Sequence, residues 1–173
     1  MGLLTSIEEI VERAIKESSG LTQRRQEVLL LISEGMTNEQ IAGQLSVKKR
    51  TVGRHVSGIC DRLGVKGRTL STVAVRYCIE QNGTYEPPFA INKPGLTRRQ
   101  AEIFSLAGRG LTNPEIEELL VVAKRTVERH IGMLKGALPI KFPSLRRFWA
   151  YAAWHAYAAR PPAEGYVNGS KAA

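Results

Sequence analysis

Cysteine is scarce in this chain, and its two thiols, Cys60 and Cys78, belong to neither a Cys-x-x-Cys pair nor a Cys/His cluster. We therefore expect no metal site. The lack of a disulfide framework favours a cytoplasmic protein. Long apolar runs are also missing, since none approaches the ~20 residues of a membrane span. The N-terminus carries Glu8, Glu9 and Glu12 and no basic segment, so it does not resemble a secretory signal.

Acidic residues are in the minority. The chain has 16 acidic and 25 basic residues, a formal net charge of +9, and a pI near 9.9. This balance favours a polyanionic partner, namely DNA, RNA or an acidic membrane surface, although a basic surface without any such partner has the same composition. Signatures of catalysis are lacking too, because there is no repeated Asp/Glu pair, serine elbow or glycine-rich phosphate loop. We expect neither an enzyme nor a cofactor.

What the chain does contain is an internal repeat. Leu21-Thr22 recurs 75 residues later as Leu96-Thr97, and with this offset and no gap about 18 of 43 aligned positions are identical. The run KRTV, for example, stands at 49–52 and again at 124–127. A match of this extent between unrelated helices is improbable. We therefore interpret the chain as two copies of one small domain.

Each copy has the apolar pattern of four helices. In the first copy the pattern predicts helices over about residues 22–34, 37–45, 49–63 and 69–80, and in the second it predicts the last helix over 145–157. Helix, short turn, helix is the helix-turn-helix arrangement, whose second helix enters the major groove of DNA. The predicted fold class is all-α, with two tandem four-helix helix-turn-helix domains. Their predicted bounds are 20–80 and 96–159, with an N-terminal amphipathic helix at 1–19, a Pro/Gly-rich linker at 81–95 and a disordered tail at 160–173.

Local capping signals support these helix boundaries. Gly35 follows the first helix of the first copy, where a left-handed C-terminal cap belongs. Thr37 with Gln40 three residues on forms a capping box for the next helix. In the N-terminal helical segment, Ser6 with Glu9 forms the same capping box.

The third helix of each copy combines an apolar face with a basic face. If Val52, Val56, Ile59 and Leu63 face the core, the outward positions are Arg50, Gly53, Arg54, Ser57 and Asp61, and in the second copy Arg125, Glu128, Arg129, Gly132 and Gly136. We expect Arg54 and Arg129 to read bases, because arginine can bind guanine through two hydrogen bonds. We expect Lys48, Lys49 and Lys124 to neutralise phosphates. A solvated basic face is the alternative, but its recurrence at the same phase favours DNA contact.

The pattern Leu-Thr-x-Arg…Glu-Val/Ile…Gly-x-Thr-Asn…Ile…Leu…Thr-Val-x-Arg-His resembles the LuxR/FixJ (GerE-like) DNA-binding domain, over about residues 20–80 and again over 95–158. The resemblance implies a bacterial transcriptional regulator that binds double-stranded DNA. It also implies that residues after Thr-Val on the third helix touch bases and that the family threonine lies near the phosphates. Carried over, the base positions are Gly53, Arg54, Ser57, Glu128, Arg129 and Gly132, and the phosphate positions are Thr51 and Thr126.

Two positions depart from the family pattern. Gly53 and Glu128 replace the lysine that usually follows Thr-Val, and Arg25 and Gln100 replace the glutamate that follows Thr-x-Arg. Since Glu128 repels phosphates but can accept a hydrogen bond from a cytosine amino group, we expect the copies to read different half-sites, the second more weakly. The family usually places a sensor domain before this module, and about 20 residues are too few for one. We therefore expect a regulator without a sensor domain of its own.

Other functions and assemblies stay open at this stage. An excisionase-like or sigma-region-like accessory factor would use the same helix-turn-helix units. A protein-interaction module would use them to hold RNA polymerase or another regulator instead of DNA. The last helix is apolar on two faces, which predicts a contact with the other copy or with a second chain. Because the family's fourth helix often forms the homodimer interface, either an intramolecular pseudo-dimer or a homodimer is expected. In either case we expect a cytoplasmic, nucleoid-associated protein.

Overall fold

The computed structural model of the chain describes residues 2–82, 95–138 and 144–158. Within these ranges it contains nine helices and no strand, so the all-α prediction is confirmed. The helices are α1 (Gly2–Ser18), α2 (Gln23–Ser33), α3 (Asn38–Gln44), α4 (Lys49–Leu63), α5 (Gly67–Asn82), α6 (Arg98–Gly108), α7 (Asn113–Leu120), α8 (Lys124–Ala137) and α9 (Leu145–Ala158). The first copy comprises α2 to α5 and the second comprises α6 to α9. Most of the expected linker and all of the expected tail lie outside the described residues.

The turn between the first and second helix of each copy forms as its sequence predicts. Gly35 has a φ of +76°, the left-handed conformation that glycine adopts without a steric penalty. The side chains and backbones of Thr37 and Gln40 exchange both hydrogen bonds of the capping box. In the second copy the backbone N–H of Thr112 donates to the carboxylate of Glu115 over 2.6 Å. These caps fix where α3 and α7 begin.

The capping box predicted at Ser6 does not mark the start of the N-terminal helix. The helix begins at Gly2, so Ser6 lies inside it and the prediction of a capping box there is wrong. A cap contributes only about 1 kcal/mol, and serine is tolerated within a helix, so this local signal does not suffice to set the boundary. Within the described residues no helix combines the length and the apolar character that crossing a bilayer requires.

Helix α1 packs against both copies. Its residues Val11, Ala14 and Ile15 belong to the core of the first copy, whereas Ile7 belongs to the core of the second. Ion pairs continue this bridge, since Glu12 pairs with Arg76 of α5 and Glu8 pairs with Arg109 beyond α6 at 3.6 Å. The amphipathic face predicted for this segment therefore joins the two copies.

Each copy has its own apolar core, and a third apolar cluster lies between them. This cluster is formed by α5 and α9, the fourth helices of the two copies. Its fully or nearly fully buried members are Val75, Ile79, Ala150, Ala153, Trp154 and Tyr157. On its other face α9 packs against α6, where Phe148 and Tyr151 contact the ring of Phe104. The two apolar faces of α9 are thus both used within the chain.

Candidate nucleic-acid interface

In both copies the third helix is anchored by its apolar side. Val52, Ile59 and Leu63 of α4 are buried, and Val56 is partly buried against the same core. In α8 the buried positions are Val127, Ile131 and Leu134. The phase deduced from the sequence is therefore correct, and the opposite side of each helix faces solvent.

The predicted site residues lie on that solvent side. Three of them, Thr51, Gly53 and Thr126, are half-buried. The others are exposed, and they are Lys48, Lys49, Arg50, Arg54, Ser57, Lys124, Arg125, Glu128, Arg129 and Gly132. The fold brings them together as two patches, one on α4 and one on α8. No hydrogen bond or ion pair involves the guanidinium groups of Arg54 and Arg129 among the residues the structure describes.

The N-terminus of α4 is open to an anion. Its N-cap residue, Lys48, makes no capping hydrogen bond through its side chain, so the first backbone N–H groups of α4 have no side-chain acceptor there. Such N–H groups, together with the helix dipole, favour the binding of a phosphate at the helix N-terminus. Lys49 is within 3.2 Å of the carboxylate of Glu39, but both side chains are mostly exposed, and a surface pair of this kind contributes little. Lys49 is therefore available to a phosphate.

The same end of α8 already has an acidic partner. The carboxylate of Glu117 accepts a hydrogen bond from the backbone N–H of Lys124 over 3.0 Å. The ammonium of Lys124 also lies 3.9 Å from Glu128. In the first copy, Ala42 stands at the position of Glu117. The two recognition helices thus have the same fold but different electrostatics, since carboxylates occupy part of the anion-binding end of α8.

One further cation, Arg25 of α2, lies beside the recognition helix of the first copy. Its guanidinium group packs over Gly58 of α4 so closely that a Cβ at Gly58 would fall 2.3 Å from Nη2. The second copy has Gln100 and Met133 at these two positions. In the sequence, Arg25 stands out only as a departure from the family pattern. Gly58, which lies 33 residues after Arg25, was the sequence signal that could have indicated this contact. The two residues meet only because α2 packs on α4.

The fourth helices connect the two patches into one body. Thr69 and Thr72 of α5 donate hydrogen bonds to the carbonyls of Gly110 and Gly108, each over 3.0 Å. In the opposite direction, the indole N–H of Trp154 in α9 donates to the carbonyl of Ser33 over 3.0 Å. These carbonyls lie at or near the C-terminal ends of α6 and α2, where helices leave acceptors without partners. Each copy therefore donates hydrogen bonds to backbone carbonyls of the other copy that would otherwise lack a partner.

Two three-helix units, each presenting a partly basic third helix and each supported by a fourth helix, define a helix-turn-helix DNA-binding protein. The family model described as bacterial regulatory proteins, luxR family, matches residues 19–75 and 94–140, more than half of the chain. The chain therefore belongs to the LuxR family of bacterial regulatory proteins, a family of DNA-binding transcription regulators. The resemblance seen in the sequence motifs is confirmed.

Several characterised regulators are similar to part of the chain. It is 40% identical over 60 residues to the transcriptional regulatory protein DesR of Bacillus subtilis, covering 35% of this chain and 30% of DesR. It is 42% identical over 62 residues to the response regulator VraR of Staphylococcus aureus, covering 36% of this chain and 28% of VraR. The spore germination protein GerE of Bacillus subtilis is 36% identical over 62 residues, 36% of this chain and 84% of GerE. The chain thus matches about a third or less of DesR and VraR. No solved structure matches it significantly.

Proposed function

We propose that this chain is a sequence-selective double-stranded DNA-binding transcriptional regulator in which one polypeptide reads two unlike half-sites. The observation that carries the proposal is the matched pair of exposed, arginine-bearing faces on α4 and α8, held in one body by the packing of α5 on α9. A usual family member needs two chains to present two recognition helices. Here the fourth helices of a single chain cover each other, so the pseudo-dimer forms without a second chain.

The first copy is proposed to supply most of the affinity. The exposed face of α4 combines Lys48, Lys49, Arg50 and Arg54 with an uncapped helix N-terminus, and Arg25 lies alongside. The helix-turn-helix of the second copy carries four acidic residues, Glu115, Glu117, Glu118 and Glu128, where the first has Glu39 and Asp61. Since neutralising phosphates supplies much of the binding free energy, α8 binds more weakly and contributes mainly base discrimination.

The roles of arginine and lysine on α4 are separable by titration. Arg54→Ala should weaken binding to the preferred site by about 1–3 kcal/mol and relax specificity at one base pair, because a bidentate base contact is lost. Lys49→Ala should weaken binding to all sequences alike and reduce the salt slope by about one unit, because one phosphate contact is lost. Fluorescence anisotropy at several salt concentrations measures both. Arg98→Ala, in α6 and therefore on neither recognition helix, with an exposed side chain, is the control for loss of one charge. The reverse pattern between Arg54 and Lys49 would contradict the assignment.

Selection from random double-stranded DNA tests the architecture. We expect one recovered site composed of two different half-sites about one helical turn, or ~34 Å, apart. Light scattering of the complex should give one chain per site. Two identical half-sites or two chains per site would refute the proposal of a single-chain pseudo-dimer, and failure to enrich any sequence would refute sequence-selective binding itself.

A second candidate function concerns the second copy alone. Val121, in the turn before α8, is 89% exposed, and Met133 of α8 is 46% exposed. Exposed apolar side chains beside acidic ones favour a protein contact over a phosphate contact. In this alternative the first copy binds DNA, and the second copy binds RNA polymerase or another regulator. The protein would then act as an accessory factor. Recovery of only one half-site in the same selection experiment supports it. We place either form of the protein at the nucleoid in the cytoplasm.

A further inference from the structure

An arginine at the start of α5 reaches across to the second copy. The guanidinium of Arg68 donates hydrogen bonds to the side-chain carbonyl of Asn113 and, over 2.7 Å, to the backbone carbonyl of Leu111. Its Cζ also lies 4.0 Å from the centroid of the Trp149 ring, a cation–π contact with α9. Burial lowers the pKa of Arg68 to about 10, so the group stays charged at neutral pH. Arg68 therefore contacts both the turn before α7 and the fourth helix of the second copy.

A matching arginine makes the reciprocal contact. Arg146, like Arg68, is the second residue of its fourth helix. It donates over 3.0 Å to the carbonyl of Met36 and over 2.7 Å to the side chain of Asn38, in the turn before α3. Met36 and Asn38 are the residues that the 75-residue offset relates to Leu111 and Asn113. The two contacts are thus equivalent under the pseudo-twofold relation of the copies.

Glycines bring the backbones close enough for both contacts. A Cβ at Gly35 would lie 2.7 Å from the Cα of Arg147, and a Cβ at Gly110 would lie 3.4 Å from the Cα of Thr69. Each glycine has positive φ, and each lies directly before the turn that receives the arginine. We call the arrangement formed by Arg68, Arg146 and the two turns the arginine clamp. It fixes the start of α5 against the turn before α7, and the start of α9 against the turn before α3.

We propose that Arg68 and Arg146 are positioning residues that set the separation and orientation of α4 and α8, and thereby the half-site spacing that one chain reads. This inference rests on the proposed function. Each clamped turn leads directly into the helix that packs on the recognition helix of its own copy, α3 on α4 and α7 on α8. A rigid connection restricts binding to one spacing, whereas a tether alone lets the second helix reach several.

The test uses a duplex that carries the site selected by the wild-type chain, and a series in which base pairs are inserted between its half-sites. An insertion of about five base pairs, half a helical turn, moves one half-site to the opposite side of the duplex. For the wild-type chain we expect an affinity loss of about 100-fold or more, because binding falls to that of one half-site. In the Arg68→Ala/Arg146→Ala double variant the α5–α9 cluster still joins the copies, so we expect weaker binding at the native spacing and an affinity loss across the series about tenfold smaller than that of the wild-type chain.

Matched controls separate positioning from folding. Arg98→Ala removes one of the two positive charges that the double variant loses, at an exposed position, and should retain the wild-type spacing dependence. A duplex with a single half-site should bind the wild-type chain and the double variant equally, since neither clamp arginine lies on the recognition faces. Wild-type spacing dependence in the double variant, or loss of single half-site binding by it, overturns the proposal.

A measurement without DNA separates failure of the arginine clamp from failure of the proposed function in DNA binding. Nitroxide labels are attached through Ser57→Cys and Gly132→Cys, with Cys60 and Cys78 replaced by serine, and the distance between them is measured by pulsed electron resonance. We expect a narrow distance distribution for the otherwise unaltered chain and a broader one when Arg68→Ala and Arg146→Ala are added. Equal widths overturn the clamp. If the unaltered chain binds no duplex DNA, the proposed function and the half-site role fail together, while the distributions still decide whether the arginines hold the copies in position.

Discussion

Trp154→Ala is expected to lower the free energy of unfolding by about 3–5 kcal/mol, as truncation of a large buried aromatic side chain does. Trp154 is 1% exposed and belongs to the apolar cluster between α5 and α9. Its removal leaves a cavity and deprives the carbonyl of Ser33 of its donor. A loss of this size is a large part of the total stability of a typical protein, about 5–15 kcal/mol. Urea unfolding followed by circular dichroism measures it.

Two further variants make this result specific. Trp154→Phe keeps most of the apolar volume but removes the indole N–H, so about 1–3 kcal/mol should be lost through the unsatisfied carbonyl of Ser33. Met133→Ala, at an exposed position of α8, should change stability by less than about 0.5 kcal/mol. If Trp154→Ala costs no more than Met133→Ala, the contact between the fourth helices does not stabilise the protein in solution.

Gly108→Ala is expected to have the second large effect, a loss of about 3 kcal/mol, at the upper end of the usual cost of overpacking. A Cβ at Gly108 would lie 2.2 Å from the carbonyl oxygen of Ala152 and 2.9 Å from the Cβ of Ala156. The first of these atoms is backbone, so α6 and α9 have to move apart. The carbonyl of Gly108 also accepts the hydrogen bond from Thr72, and the same movement strains that link between the copies. Thermal unfolding of the variant and the wild-type chain checks the difference.

The matched control is Gly43→Ala in α3, where no atom lies within 4 Å of the added Cβ. Because alanine is the better helix former, this change should stabilise the protein by about 0.5–1 kcal/mol. Opposite signs for the two glycine variants are the expected outcome. If Gly108→Ala proves neutral, the close packing of α6 on α9 is not maintained in solution.

Much of each copy follows from local sequence. The predicted bounds of the recognition helix, 49–63, agree with α4, because an apolar side at spacings of three and four residues specifies both the helix and its buried face. The turn at Gly35 and the cap at Thr37 were likewise predicted, since a left-handed residue and a side-chain acceptor act over only a few residues. The roles of the exposed site residues in DNA binding stay predictions.

Local signals were less reliable where distant contacts determine the structure. The capping box at Ser6 did not set the start of α1, which packs on both copies and continues to Gly2. Arg25 lies beside Gly58 of α4 only because α2 packs on that helix. Neither outcome is encoded within a few residues of the position concerned.

The sequence by itself determined the repeat, the helices of each copy and the side of each recognition helix that faces solvent, because these depend on periodicity and on contacts between near neighbours in the chain. For the aromatic last helix it left two partners open, the other copy or a second chain. Only the tertiary structure decided that α9 packs on α5 of the same chain and that Arg68 and Arg146 each reach the opposite copy. Such contacts join residues that are 43 and 110 positions apart. An apolar face or an arginine specifies that a partner is needed, whereas the identity of the partner depends on how all the helices pack together.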